Sequence, residues 1–399
     1  MGELIIGWIK NQMNNLQILF GVCGIGKGHI YEMLPIIENY VNEKTNKIVI
    51  FAFGVSYSYF KDRYLSIGNV EVFEVKVPWI HGAEEGLDYL RTANDPQNRR
   101  DDYIESNFFA MDQVKKLLGQ ASIVITDYEP ISALYAYSMG LPIITVDQQS
   151  KYLFTDYLNK IDNLTPMEER ARLGMFFPHV DLRIITSFFK LPSSKSESRV
   201  GDFLVCGSVI RDEILNLSKI DKVQNKNVLV YLSPYSDFVQ SPHDTISILK
   251  QLPAYNFFIF TAQGTDYIKY KEEFKVDNVY IENYGDNNFT DILKKCDSVI
   301  CTAGHTLLSE LMYLGKPVLA IPLATYEQQY SAWVINDGKF GATAKYLTID
   351  NINNFLSSLE IYKKSIELNS ENRLYRQPAQ FKIIETINNF IKNINSLKK

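Results

Sequence analysis

The chain is poor in the residues that build metal modules and disulfide scaffolds. Cys23, Cys206, Cys296 and Cys301 stand singly, in no CxxC pair, and the five histidines join them in no zinc-like spacing. That argues against a spaced-ligand metal module and a stapled secreted fold, so the thiols read as reduced and mostly buried in a cytosolic protein. Positive charge is also short, with 41 Lys and Arg against 46 Asp and Glu for a net charge of -5, and no basic patch stands out. Nucleic acid is therefore not an expected partner. No apolar run reaches the roughly 18 residues of a membrane-spanning helix. The opening MGELIIGWIKNQ has too short an apolar stretch for a secretory core, an acid at Glu3 and no small-residue cleavage site. Met13 begins MNNLQILFG, so residues 1–12 read as an added extension, with a short amphipathic segment touching a membrane as the alternative. The expected location is the cytoplasm, with peripheral contact at the inner face of the membrane as an option.

What is present is an ordinary globular composition of 46% hydrophobic and 22% charged residues over 399 positions, enough for two domains. Short apolar runs bounded by turn residues predict strands at 16–22, 47–53, 70–75, 122–126 and 142–146, with helical spacing at 30–41 and 131–139. The alternation predicts a parallel sheet with helices on both faces. It weakens at the serine-rich run after Leu191, and a second series follows at 227–232, 256–261, 279–281, 298–301 and 318–321. The expectation is α/β, two halves joined near residues 191–210. A tail from Pro378 carries Phe381, Ile384, Ile387, Ile391 and Ile394 at helical period, a helix with one buried face.

The stretch FGVCGIGKGHI, Phe20 to Ile30, has the glycines and lysine of a phosphate loop. As GxxxxGK[ST] it fails at Gly28, where the magnesium-holding hydroxyl should stand. As GxGxxG it fails at His29, and no acid closes the second strand to hold a ribose. A third reading keeps the histidine: Gly24, Gly26 and Gly28 let backbone approach a ligand, and His29 at the helix start accepts a proton from a hydroxyl. A tight turn with a capping histidine explains the same residues without function.

Residues 296–331 decide between them. The strand 298–301 runs into Gly304-His305-Thr306, where a helix starts, and that helix stops at Gly315-Lys316-Pro317. Amides at such a start suit a diphosphate, and Thr306 and Glu310 share one helix face. Glu327, Gln328 and Gln329 offer donors and acceptors that suit sugar hydroxyls.

This passage resembles the donor segment of GT-B glycosyltransferases, the group with the peptidoglycan N-acetylglucosaminyltransferase and the macrolide- and plant-type UDP-glycosyltransferases. The residues that carry the resemblance are Gly304-His305-Thr306, Ser309-Glu310, Gly315-Lys316-Pro317, Ile321-Pro322 and Glu327-Gln328. The turn ending Gly28-His29 with Pro35 after it, and SIVITDYEP from Ser122 to Pro130, are similar to the same group's N-terminal half. The resemblance implies two Rossmann-like domains facing across a cleft. Residues 1–205 would bind acceptor, 206–375 the nucleotide-sugar, and 376–399 would form a helix returning to the first domain. It further implies an inverting transfer from a nucleotide-sugar, UDP-linked by family likeness, to a hydroxyl of a glycan, lipid-linked or small-molecule acceptor, with no metal and no cofactor. His305 and Thr306 would meet the diphosphate, Glu310 the ribose, and Glu327, Gln328 and Gln329 the sugar. Gly26, Gly28, Phe289, Gly304 and Ser309 join the expected donor contacts. Arg211, in Gly207-Ser-Val-Ile-Arg211, falls near the diphosphate although the group's proline is absent, and Ser233 stands where relatives have a glycine-rich loop.

For the base the candidates are His29, then Asp127, then Glu129. Asp127 has a second reading as the cap of the helix near Pro130, and Asp147-Gln148-Gln149 reads either as acceptor lining or as a solvated turn. The competing functions are a nucleotide-sugar 2-epimerase of the same architecture and a non-catalytic nucleotide-sugar or carbohydrate-binding protein.

Overall fold

The computed structural model describes residues 15–78, 81–83, 86–99, 102–119, 121–153, 166–191, 202–217, 226–232, 240–262, 264–283, 288–323, 325–369 and 372–397. The expectations for residues 1–12 and for Ser233 lie outside the described residues. The chain divides into two units: Met1–Ser187, Leu191–Val209 and Pro378–Lys399 in the first, Phe188–Lys190 and Ile210–Gln377 in the second.

The first unit is built on a seven-stranded sheet. Its strands are β1 (Gln17–Val22), β2 (Lys47–Ala52), β3 (Val70–Glu74), β6 (Ile123–Asp127), β7 (Ile143–Asp147), β8 (Leu182–Thr186) and β9 (Asp202–Cys206). The order is β3-β2-β1-β6-β7-β8-β9, every pair parallel, with Ile18 facing Ile48 on one side and Ile123 on the other. A two-residue hairpin, β4 (Gly82–Ala83) with β5 (Gly86–Leu87), lies outside it. Alternation along β1 sends Ile18, Phe20 and Val22 to one face and Leu19 to the other, and both faces are covered. That is why its sequence is a nearly unbroken apolar run. The helix Gly28–Val41 buries Ile30, Met33 and Ile37 on the first face, and the helix Asp102–Leu118 buries Ala110, Val114 and Leu118 on the second. The terminal helix Gln380–Leu397 adds Ile383, Ile387 and Ile391 to the first face. Its buried stripe is rotated from the expected one: Phe381 is exposed, Ile384 only partly buried, and Ile383 takes the inner position.

The second unit repeats the plan with β10 (Asn227–Tyr231), β11 (Asn256–Ala262), β12 (Val279–Asn283), β13 (Ser298–Cys301), β14 (Val318–Ala320) and β15 (Gly341–Thr343). The order β12-β11-β10-β13-β14-β15 is again wholly parallel. In each sheet the chain starts in the middle, builds outward to one edge, and returns to build toward the other. The reversal leaves a crevice beside the first strand at the carboxyl ends, between β1 and β6 in one unit and between β10 and β13 in the other. Ligands of open α/β sheets bind at such points.

Strands β8, β9 and β15 have no counterpart in the pattern reading. β8 is LRIIT, and the charge of Arg183 interrupts its apolar run, yet Arg183 is buried and donates to the Phe177 carbonyl at 2.8 Å. Among the described residues no helix is long and apolar enough to cross a membrane.

Candidate functional site

The reversal point of the first sheet holds the stretch that drew attention in the sequence. After β1 the chain turns through Gly24 and Gly26 and enters the helix at Gly28. Gly24 is required by the protein itself: a Cβ there would stand 1.9 Å from the Phe53 carbonyl oxygen. The expectation that it leaves room for a ligand is thus corrected. Gly26 has φ 77°, which L side chains rarely adopt, with open space around it.

His29 lies in the first turn of that helix, its side chain 14% exposed, and Asp127 closes β6 with none of its side chain exposed. His29 Nδ1 sits 2.8 Å from Asp127 Oδ2 and 3.0 Å from Oδ1. Asp127 is itself pinned, its backbone carbonyl accepting from the Cys23 amide at 2.9 Å. A carboxylate can only accept, so when the ring is neutral the pairing assigns its one proton to Nδ1 and leaves Nε2 with a lone pair. Burial works to lower the proton affinity of the imidazole, but the adjacent Asp127 carboxylate outweighs it and holds His29 well above the ordinary value of 6.5.

The neighbouring acid does something else. Glu129 is the N-cap of the helix Pro130–Met139, accepting from the Ile131 and Ser132 amides at 2.7 Å each. The capping role considered for Asp127 therefore belongs to Glu129. This also corrects the placement of Glu129 among the bases: both oxygens are taken by amides and none of it is exposed. Burial pushes it up to about 7, with the two amides pulling it back. The strand makes room for this cap at Gly21, where a Cβ would stand 2.1 Å from Ser132 Oγ and 2.8 Å from Glu129 Oε2.

The solvated-turn reading of residues 147–149 fails, since Asp147, Gln148 and Gln149 are all buried. Asp147 ends β7 and accepts from the Ser150 amide at 2.5 Å and its hydroxyl at 2.9 Å. Lys151, fully buried beside it, donates to Gln148 Oε1 and lies 5.1 Å from the Tyr152 ring centroid.

At the reversal point of the second sheet, β13 leads through Gly304 into the helix His305–Leu314. Gly304 is the N-cap, extended, with open space where a Cβ would stand, and no N-cap side chain takes the helix's first amides at the carboxyl end of β13. Positive dipole at that end favours an anion. His305 is buried with its ring 5.7 Å from that of Phe188, and Thr306 is half-buried.

Glu310, 1% exposed, is held by Arg211 through Nε to Oε1 at 2.5 Å and Nη2 to Oε2 at 2.6 Å. That fork-to-fork geometry places Arg211 on the ribose candidate rather than in the diphosphate position expected for it. The guanidinium also lies 5.7 Å from the Phe289 ring, which packs edge-on against Tyr231 at 5.0 Å. Arg211, Glu310 and Phe289 thus form one cluster.

Three donor candidates are committed to the fold. Ser309 Oγ donates to the His305 carbonyl at 2.8 Å, within its own helix. Gln328 Oε1 accepts from the Leu323 amide at 3.0 Å, and Gln329 Nε2 donates to the Leu323 carbonyl at 3.1 Å. The two amides expected to grip sugar thus hold the turn before the helix Tyr326–Asp337, with half-buried Glu327 beside them in its first turn. Among the described residues no group of three or more His, Cys, Asp or Glu is arranged to hold a metal ion. Sequence reasoning missed Glu32 and Thr186, described below. The signal for Glu32 was present, since it stands three residues after His29 on one helix.

Residues 16–360 match the family described as Glycosyl transferase family 1. Among curated proteins the chain is 23% identical over 285 residues to the UDP-N-acetylglucosamine:N-acetylmuramyl-(pentapeptide) pyrophosphoryl-undecaprenol N-acetylglucosamine transferase of Rickettsia canadensis, covering 65% of this chain and 72% of that protein. It is 24% identical over 194 residues to the Alkaliphilus metalliredigens enzyme of the same description, 42% of this chain and about half, 52%, of that one. Among solved structures it is similar to a UDP-glucosyltransferase from Polygonum tinctorium, with TM-score 0.65 and 12% identity over 94% of this chain and 98% of the other. A UDP-glucose:anthocyanidin 3-O-glucosyltransferase in complex with UDP gives 0.63 and 12% over 96% and 100%. The fold is that of the GT-B glycosyltransferases.

Proposed function

We propose, from the premise that the chain belongs to glycosyl transferase family 1, that it transfers a sugar from a UDP-sugar to a hydroxyl acceptor, with inversion and without a metal ion. The single observation that carries this reading is the buried His29–Asp127 pair, with Nδ1 2.8 Å from the carboxylate, at the reversal point of the first sheet. Asp127 fixes the tautomer and stabilises the imidazolium that forms, and Nε2 takes the proton of the acceptor hydroxyl as it attacks. The new bond joins acceptor oxygen to the anomeric carbon. The bond to the diphosphate breaks on the opposite side, which inverts the centre, and the electron pair leaves with the diphosphate.

The second unit supplies what the departing anion needs. Amides at the start of the His305 helix, which no N-cap side chain takes, would offer fixed dipoles where negative charge develops, in place of a cation. Glu310 is the group for the ribose diol and Phe289 offers a face for the base ring, both organised by Arg211. A lipid-linked acceptor is the first to try, because the curated relatives are named for a pyrophosphoryl-undecaprenol substrate.

The test is to incubate purified protein with UDP-sugars and acceptor in excess EDTA, measure UDP release, and read the product anomer by NMR. The reading expects inverted product and undiminished turnover in chelator. Retained configuration, or turnover only with added magnesium, would overturn the mechanism. UDP binding without transfer to any acceptor, equal in H29A and wild type, would favour a binding protein.

A further inference from the structure

One face of the helix Gly28–Val41 spans the carboxyl ends of three adjacent strands. His29 and Glu32 are three residues apart and share that face. His29 reaches Asp127 at the end of β6, and Glu32 accepts a hydrogen bond from Thr186 Oγ1 at the end of β8. Between them β7 ends at Asp147. Three buried carboxyl groups thus interact with one another here, and two of them, Asp127 and Glu32, also with the imidazole. Their partners differ. Asp127 has His29, Asp147 has the Ser150 amide and hydroxyl with Arg183 nearby, and Glu32, among the described residues, has the Thr186 hydroxyl as its hydrogen-bond donor.

Burying three carboxylates against that set is unfavourable, so the one without a cation is the natural holder of a proton. Resting on the reading of His29 as the base, we propose that Glu32 is a positioning residue that shares the proton of this cluster with His29. While Glu32 holds the proton, the imidazole beside Asp127 gives up its own at lower pH and is the readier to act. When Glu32 gives it up, its charge draws a proton onto His29 and the base is lost.

The surroundings of Glu32 agree. Burial and then the Asp127 carboxylate raise it, Thr186 and His29 oppose them, Asp147 adds to the rise, and the net is about 8. The next strand presents Cys206, a buried neutral thiol faced by Lys382 from the terminal helix. A carboxyl held at about 8 in the fold and at about 4.5 unfolded makes stability fall as pH rises between those values.

The experiment compares full-length wild type and Glu32→Gln by urea unfolding between pH 5 and 8, and by the pH dependence of turnover. The ratio of folding constants, variant over wild type, is expected to rise about tenfold per pH unit over that range. The rising limb of the variant's pH–rate profile is expected at lower pH than wild type, because His29 no longer shares its proton. A flat ratio would mean that Glu32 is already charged in the fold, and an unmoved limb that it does not act on His29; either overturns the proposal. If Glu32→Gln does not fold, Thr186→Val decides. Loss of the hydroxyl that favours the charged carboxyl should extend the falling arm of stability above pH 8, and an unchanged arm would sink the idea. The unfolding arm needs no substrate, so it stands if no sugar transfer is found, and that failure would tell against His29 as base instead.

Discussion

The two sheets have the same strand logic but different chemistry at the place that logic creates. Beside β1 the crevice is furnished with titratable groups: His29, Asp127, Glu32 and Asp147, all half-buried or buried. Beside β10 the corresponding place offers the start of a helix, an open glycine and one closed ion pair, Arg211 with Glu310. Topology chooses where a ligand goes, and the residues choose what happens to it. Groups that exchange protons suit the making and breaking of bonds. Fixed dipoles and a neutralised pair suit holding an anionic nucleotide. The proposed division of labour between base and donor site is a statement about that contrast, and four substitutions break or sharpen it.

His29→Ala should have the largest effect, a fall in turnover of about 10³-fold, within the range general-base removal produces. UDP affinity, measured by calorimetry, should stay within about twofold, because the donor cluster is built wholly from residues of the second unit and His29 belongs to the first. Loss of UDP binding alongside turnover would erase the contrast between the two sites.

Arg211→Ala probes the other side. Glu310 is 1% exposed, so removing its partner leaves a buried carboxylate uncompensated, at a cost of about 3 kcal/mol in stability. UDP should bind more weakly, and the double variant Arg211→Ala with Glu310→Gln should recover most of the stability without the affinity. Denaturant unfolding separates the two effects.

Asp127→Asn should lower turnover about 10²-fold and move the rising limb of the pH–rate profile to lower pH, since the carboxylate is what holds His29 above 6.5. The stability sign follows. A raised histidine contributes most below its unfolded value, and that contribution fades as pH rises through the folded value. The variant should therefore lose stability mainly below about pH 6.5 and little above about pH 9, in urea unfolding across that range.

The fold was legible where burial is two-sided. Continuous apolar runs gave every strand of the second sheet but β15, and the turns that end β1 and β13 were singled out, though the strand order that makes them reversal points was not. Strands carrying a charge were not legible: Arg183 breaks β8, and its partner, the Phe177 carbonyl, is visible only in three dimensions. At the sites the types were readable and the commitments were not. Spacing suggested that Gln328, Gln329 and Ser309 were available, but each is engaged by a backbone group close in sequence. Asp127 and Glu129, two residues apart, both stood among the bases on sequence alone, and the cap was read onto Asp127. The end of the strand separates them, because Tyr128 between them takes φ 52° and turns the chain, and of the two it is Asp127 that reaches His29.

Glu129→Gln tests that separation and should have the smallest effect. An amide keeps one acceptor oxygen for one of the Ile131 and Ser132 amides and turns a donor toward the other. The loss is about 1 kcal/mol, the usual size of a cap, on a helix otherwise held by its buried face. Turnover should change by less than about threefold and the pH–rate limb should not move, since the Glu129 carboxyl is engaged by amides rather than by the imidazole. Should Glu129→Gln instead match Asp127→Asn in turnover and limb, the two acids would act as one unit. The cap would then belong to the catalytic machinery, and the distinction between structural and reacting groups at the end of β6 would have to be withdrawn.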